Sequence, residues 1–173
     1  MNDALTSLLR YKAWAEAELF ADLLAHRAAI TPADFTAVLR ILRHTLLVDR
    51  IFAAHLQGHP HGLESTWPEA TPPLDRLVTD AQACGAWLIQ YAASLESAAG
   101  ASMVTFTFTD GKSGRMSRAE ILAHLVTHSG YHRGEVRRMV PEIAAGGAAD
   151  VFTGFLHRTQ PDRRRYPTPS TTV

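Results

Sequence analysis

Within the octet HSGYHRGE, residues 128–135, two histidines stand four residues apart and a glutamate follows the second by three. Side chains at i and i+4 of a helix lie one above the other, so His128 and His132 can offer two imidazoles to one metal ion. A third donor has to come from another element. The candidate is His44, the lone histidine of the apolar segment LRILRHTLLVDRIF. Glu135 shares the helix side of the two histidines and is the candidate catalytic group. Its carboxylate can orient an imidazole, act as a fourth ligand or take a proton from a bound water. The plainer role is a surface glutamate paired with Arg133 or Arg138.

Spacing alone is weak information. Nine histidines in 173 residues would give about half an i,i+4 pair by chance. The chain has three: His55 with His59, His124 with His128, and His128 with His132. Facing carries more weight. Ile121, Leu125, His128, His132, Val136 and Met139 form one helical stripe, and Ile41, His44, Val48, Ile51 and His55 form another. Two such stripes predict imidazoles converging inside the fold, where polar groups need partners. His55 lies three turns beyond His44, about 16 Å along the axis, too far to share the same ion. His124 and Tyr131 are expected in the pocket around the pair. His55, His59 and His61 form a looser group in a Pro/Gly segment, fit only for adventitious metal. Gly130 and Gly134 cost the helix about 1 kcal/mol each, which points to close packing or to space for a ligand.

Helices must carry most of these residues. Leu5, Leu8, Leu9, Trp14, Leu19, Phe20, Leu23 and Leu24 mark a first helix over 3–27. Thr31 as N-cap with Pro32 after it, and Gly58 as stop, bound a second over 32–57. Residues 58–73, with four prolines and two glycines, read as a crossing loop that Trp67 pins to the body. A third helix is expected over 73–97. The period then changes: Val104, Phe106 and Phe108 alternate with threonines, and Asp110-Gly111 marks a hairpin turn. Ser117 and Glu120 form a capping box for a fourth long helix reaching Met139, ahead of Pro141. A Gly-rich turn leads to a short helix over 151–157. The fold class is therefore all-α: a four-helix bundle with a short β-ribbon before the fourth long helix and a short C-terminal helix. Residues 1–158 make a single domain, and 159–173, with Arg163 to Arg165, a mobile polar and basic tail.

Composition narrows the function. A 46% hydrophobic content supports a sizeable core, and 17 basic residues against 17 acidic ones argue against nucleic acid or an anionic membrane as partner. Cys84 is the single cysteine, so there is no internal disulfide and no thiolate cluster. No signal peptide or membrane span is legible, and a cytoplasmic protein acting on a small molecule is expected. Ser129 follows His128, so HExxH is absent, as are a nucleophile elbow, a Walker loop and a dinucleotide fingerprint.

YKAWAEAELF, RHTLLVDRIF, VTFTFTDG, ILAHLVTHSGYHRGEV and GGAADVFTGFL, in that order over residues 8–158, give the chain a resemblance to the DinB family, the DinB/YfiT-like metalloenzyme superfamily. The resemblance implies an up-and-down four-helix bundle with a divalent metal, often nickel or zinc, held by three histidines, here His44, His128 and His132. It also implies a homodimer and, by analogy with better understood branches, a transferase or isomerase that uses a low-molecular-weight thiol. The alternatives are a metal-dependent hydrolase and a non-catalytic metal or small-molecule binding protein of a stress response. One departure stands at the site: the family usually has HRGQ where this chain has HRGE.

Overall fold

The computed structural model describes residues 2–67, 69–144 and 150–164. Most of the Gly-rich turn (145–149) and of the basic tail, Arg165 included, lie outside the described residues. Four long helices dominate: α1 (Asn2–Ala25), α2 (Pro32–Gln57), α3 (Leu74–Ser94) and α5 (Arg118–Met139), with short α4 (Ser97–Gly100), α6 (Pro141–Ala144) and α7 (Phe152–Thr159). The fold is all-α, with one two-stranded antiparallel ribbon, β1 (Met103–Thr107) and β2 (Ser113–Ser117).

The helix ends follow local chemistry. Thr31 Oγ1 accepts from the Asp34 amide, and Gly58 closes α2 in the left-handed region at φ 73°. Ser117 and Glu120 cap α5 reciprocally. The expected third helix breaks early: the Ser94 hydroxyl donates to the Tyr91 carbonyl, and Leu95 turns extended at φ −78°, ψ 115°. A separate turn, α4, then replaces the last residues of that expected helix. Asp110-Gly111 does turn the ribbon, with Gly111 at φ 82° and its amide bonded to the Phe108 carbonyl. Thr159 ends α7, and Pro161–Arg164 adds a 3-10 turn.

Two apolar clusters fill the two ends of the bundle. One joins Leu19 and Leu23 with Val38, Ile41, Leu74, Leu77, Val136 and Ile143; the other joins Leu9 with Phe52, Leu56, Leu88, Ile121 and Leu125. Those memberships fix directions: α1 and α5 run one way, α2 and α3 the other. The helix pair linked by 58–73 is thus parallel where an up-and-down bundle would make it antiparallel, and the loop must retrace α2. Twenty-six helical residues rise about 39 Å, while sixteen extended residues reach about 50 Å. The loop therefore has the length to run back along the bundle, and midway it meets His44.

Around the bundle α1 and α2 each pack on α3 and α5. The α2–α5 seam is where the histidines meet, at a waist between the two apolar ends.

Candidate metal centre

His44 comes from α2, and His128 and His132 from successive turns of α5. The His44 Nδ1 donates to the Thr66 carbonyl at 3.0 Å. A carbonyl only accepts, so the proton sits on Nδ1 and Nε2 keeps a bare lone pair. The His44 ring lies flat on Trp67, with centroids 3.9 Å apart and planes 7° from parallel. Thus the crossing loop sets both tautomer and tilt. In the same way His132 Nδ1 donates to Glu135 Oε2 at 2.9 Å, which leaves its Nε2 bare. Among the three expected uses of Glu135, this contact is that of a group orienting an imidazole.

Both bare Nε2 atoms face His128 Nε2, each at 3.2 Å. All three donor atoms lie within 4.8 Å of one another, the one group of three or more metal-ligand side chains this close among the described residues. At most one N–H is available for two nitrogen contacts, so one contact opposes lone pair to lone pair. A cation between the rings would replace that repulsion with three favourable bonds, and neutral imidazole suits a divalent ion. The residues present fit a metal. His128 Nδ1 is buried without a hydrogen-bond partner and is the only outer nitrogen of the three left unoriented.

Electrostatics favour the neutral, ligating form of His44 and His128. Burial, then the neighbouring His132 and His44, pushes His128 down to about 3. Burial also lowers His44, partly opposed by its bond to Thr66, and burial lowers His124.

The remaining sequence candidates are placed as follows. His124 packs on Phe52 and, one turn below, on His128. Tyr131 is 72% exposed, with its ring edge-on to His132 at 5.1 Å. His55, His59 and His61 line an open basin of about 460 Å³ with Thr105 and Thr107, away from the centre. Of the two roles expected of the glycines, close packing is not seen: a Cβ at Gly134 would meet nothing within 4 Å, and one at Gly130 only the tip of Arg133 at 3.7 Å. Neither admits a neighbouring backbone. The core stripe of α5 is also rotated from expectation. It runs Ile121, Leu122, Leu125, Val126, Ser129, His132, Arg133 and Val136, which keeps His132 in the core and puts His128 at its edge, half-buried.

That rotation exposes what the stripe reading missed. Lys12 is 1% exposed and donates to Asp49 Oδ2 at 2.6 Å and Glu16 Oε1 at 2.7 Å. The Ser129 hydroxyl also donates to Glu16, and Arg133 donates to Ser129 and, bidentately, to Asp150, which accepts from Tyr11 as well. The available clue was Ser129 and Arg133 standing in register with Leu125 and Val136.

Fold and site together define an all-α bundle protein with a three-histidine centre able to hold a metal ion. The model of the DinB family matches residues 1–163, and the chain belongs to that family. No curated protein and no solved structure matches it. No described helix is long and apolar enough to cross a membrane.

Proposed function

We propose that His44, His128 and His132 hold one divalent ion, nickel or zinc, and that the protein is a metal-dependent enzyme of the thiol S-transferase or isomerase type. The convergence of three Nε2 atoms within 4.8 Å of one another carries the proposal. Three neutral ligands leave the ion its full charge and an open position, the pattern of catalytic rather than structural centres. When bound, the ion supplies a Lewis-acid charge that lowers the pKa of a thiol or a water at that position.

The chain's own residues do the positioning. Thr66 and Trp67 hold the His44 ring, and Glu135 holds that of His132 with its Nδ1 proton. Cys84 is no substitute for an external thiol, since burial pushes its own up to about 12. The homodimer and the cytoplasmic location belong to the same reading and are checked by sedimentation and by fractionation of the source cells.

Metal analysis of protein purified without a histidine tag tests the centre. About one ion per chain is expected, with loss in His44→Ala and in His132→Ala; full occupancy in both variants would end the proposal. Titration of the loaded protein with low-molecular-weight thiols tests the reaction class. If none binds, the ion acts on water, as a hydrolase, or serves binding alone.

A further inference from the structure

A cavity of about 190 Å³ lies between the ribbon and the α2–α5 seam. Val48, Ile51 and Phe52 of α2 form one side and Phe106 and Phe108 of the ribbon segment the other, while His124 and His128 close the inner end. His128 is therefore shared between this chamber and the histidine centre. An apolar cavity of about 150 Å³ is enough to hold benzene, so the chamber has room for one six-membered ring and a short substituent, and not for two rings.

Charge narrows the occupant further. Among the described residues no lysine, arginine, aspartate or glutamate lines the chamber, and burial holds His55, the wall histidine away from the centre, below its usual range. An anionic or cationic ring would enter without a counter-charge. The aromatic wall is built to a shape. Phe106 packs edge-on to Phe52 at 5.2 Å and stacks on His55 at 5.2 Å. It can do so because Gly114, its partner across the ribbon, has no side chain: a Cβ there would fall 2.5 Å from the Phe106 ring. Phe108, 46% exposed, sits edge-on to Phe106 at 5.0 Å.

We propose that this chamber binds the uncharged, single-ring apolar end of a small molecule whose donor atom, a thiol or its equivalent, reaches the histidine centre. The donor end rests on the function proposed above; the chamber rests on its own lining and volume.

Benzyl mercaptan and 2-mercaptoethanol share a donor and differ in the ring, so they separate the two parts. Titrated into cobalt(II)-loaded, tag-free protein and read by the sulfur-to-cobalt charge-transfer band, benzyl mercaptan is expected to bind at least tenfold tighter. Val48→Phe, which fills the chamber, and Gly114→Val, which displaces Phe106 from outside it, are each expected to cut that advantage below threefold. Both should keep one cobalt per chain and wild-type affinity for 2-mercaptoethanol. Equal affinities for the two thiols in the wild type, or an advantage intact in whichever variants fold, would overturn the proposal. A second measurement needs no metal: saturation-transfer NMR of metal-free protein with toluene. Transfer that disappears in Val48→Phe or Gly114→Val supports the chamber, and absence of transfer in the wild type overturns it. Toluene binding by a protein that takes up no cobalt would retain the chamber and end only the metal reading.

Discussion

Ser129 and Arg133 each follow a histidine by one residue, so α5 presents two polar faces about 100° apart at the same level of the bundle. One face looks into the bundle, where Lys12, Glu16, Asp49 and Asp150 complete a closed set in which nearly every donor meets an acceptor. The other looks along the α2–α5 seam, where three imidazoles meet with too few protons for their contacts. Burial explains the first and not the second. A charged group inside a fold has to be matched, and the network matches α1 to α2, α5 and the segment leading to α7. Of the outer nitrogens, those of His44 and His132 are matched, by Thr66 and Glu135, and that of His128 is not, while the three inner nitrogens converge on one another. Polar atoms matched among themselves serve the fold, whereas acceptors that converge on one another with too few protons describe a cation site.

The largest expected effect breaks the closed side. Lys12→Met leaves Asp49 and Glu16 buried without their ammonium, and should cost about 3–5 kcal/mol in urea unfolding of the metal-free protein. Lys12→Met/Asp49→Leu should recover most of that loss, because removing both partners of a buried pair is often neutral. A single variant as stable as the wild type would erase the contrast between the two faces.

The open side should respond in the opposite way. His128→Leu in metal-free protein removes the ring that faces two bare nitrogens with at most one proton between them, and the loss of stability should stay within about 1 kcal/mol. With nickel at a thousand times Kd, the wild type should gain about 4 kcal/mol while the variant gains nothing. A large loss in the metal-free variant would make His128 a structural residue.

The two faces were unequally legible in the sequence. The helices, the caps at Thr31 and Ser117, the stop at Gly58 and the turn at Gly111 were legible because each depends on residues within a few positions of one another. The convergence of His44 with His128 and His132 could be anticipated because histidine in an apolar stripe is conspicuous. The ionic network was not, since Lys12, Asp49 and Arg133 look like ordinary surface charges until the rotation of each helix is known. A shift of one residue in the assumed stripe of α5 exchanges His128 and His132 for Ser129 and Arg133. Thr66 escaped for a different reason: a backbone carbonyl carries no sequence signature, and only the parallel course of α2 and α3 brings the loop across His44.

The smallest effect to be measured is a pH slope, and it sharpens the account of the closed side. Burial alone would lower Lys12, but Asp49 and Glu16 outweigh it and hold the ammonium above its usual range. Two carboxylates share that one ammonium, so Asp49 is the strained member. Burial raises it to about 6 against the pull of Lys12, with Glu16 adding to the rise, and its Oδ1 has no hydrogen-bond partner. Between its unfolded value near 3.8 and about 6, the native protein keeps a proton that the unfolded chain has released. Stability from this group is thus present below pH 4 and lost as pH rises through 6. His44, His124 and His128, lowered rather than raised, titrate in the opposite sense, so a single stability curve would mix the two. Subtracting the curve of Asp49→Asn from that of the wild type cancels the histidines, which both proteins share. The difference in unfolding free energy should fall from pH 4 to 6 and level off above. A difference that rises over that interval would mean that Lys12 holds Asp49 ionised throughout, and that the network is matched more completely than its one orphaned oxygen implies.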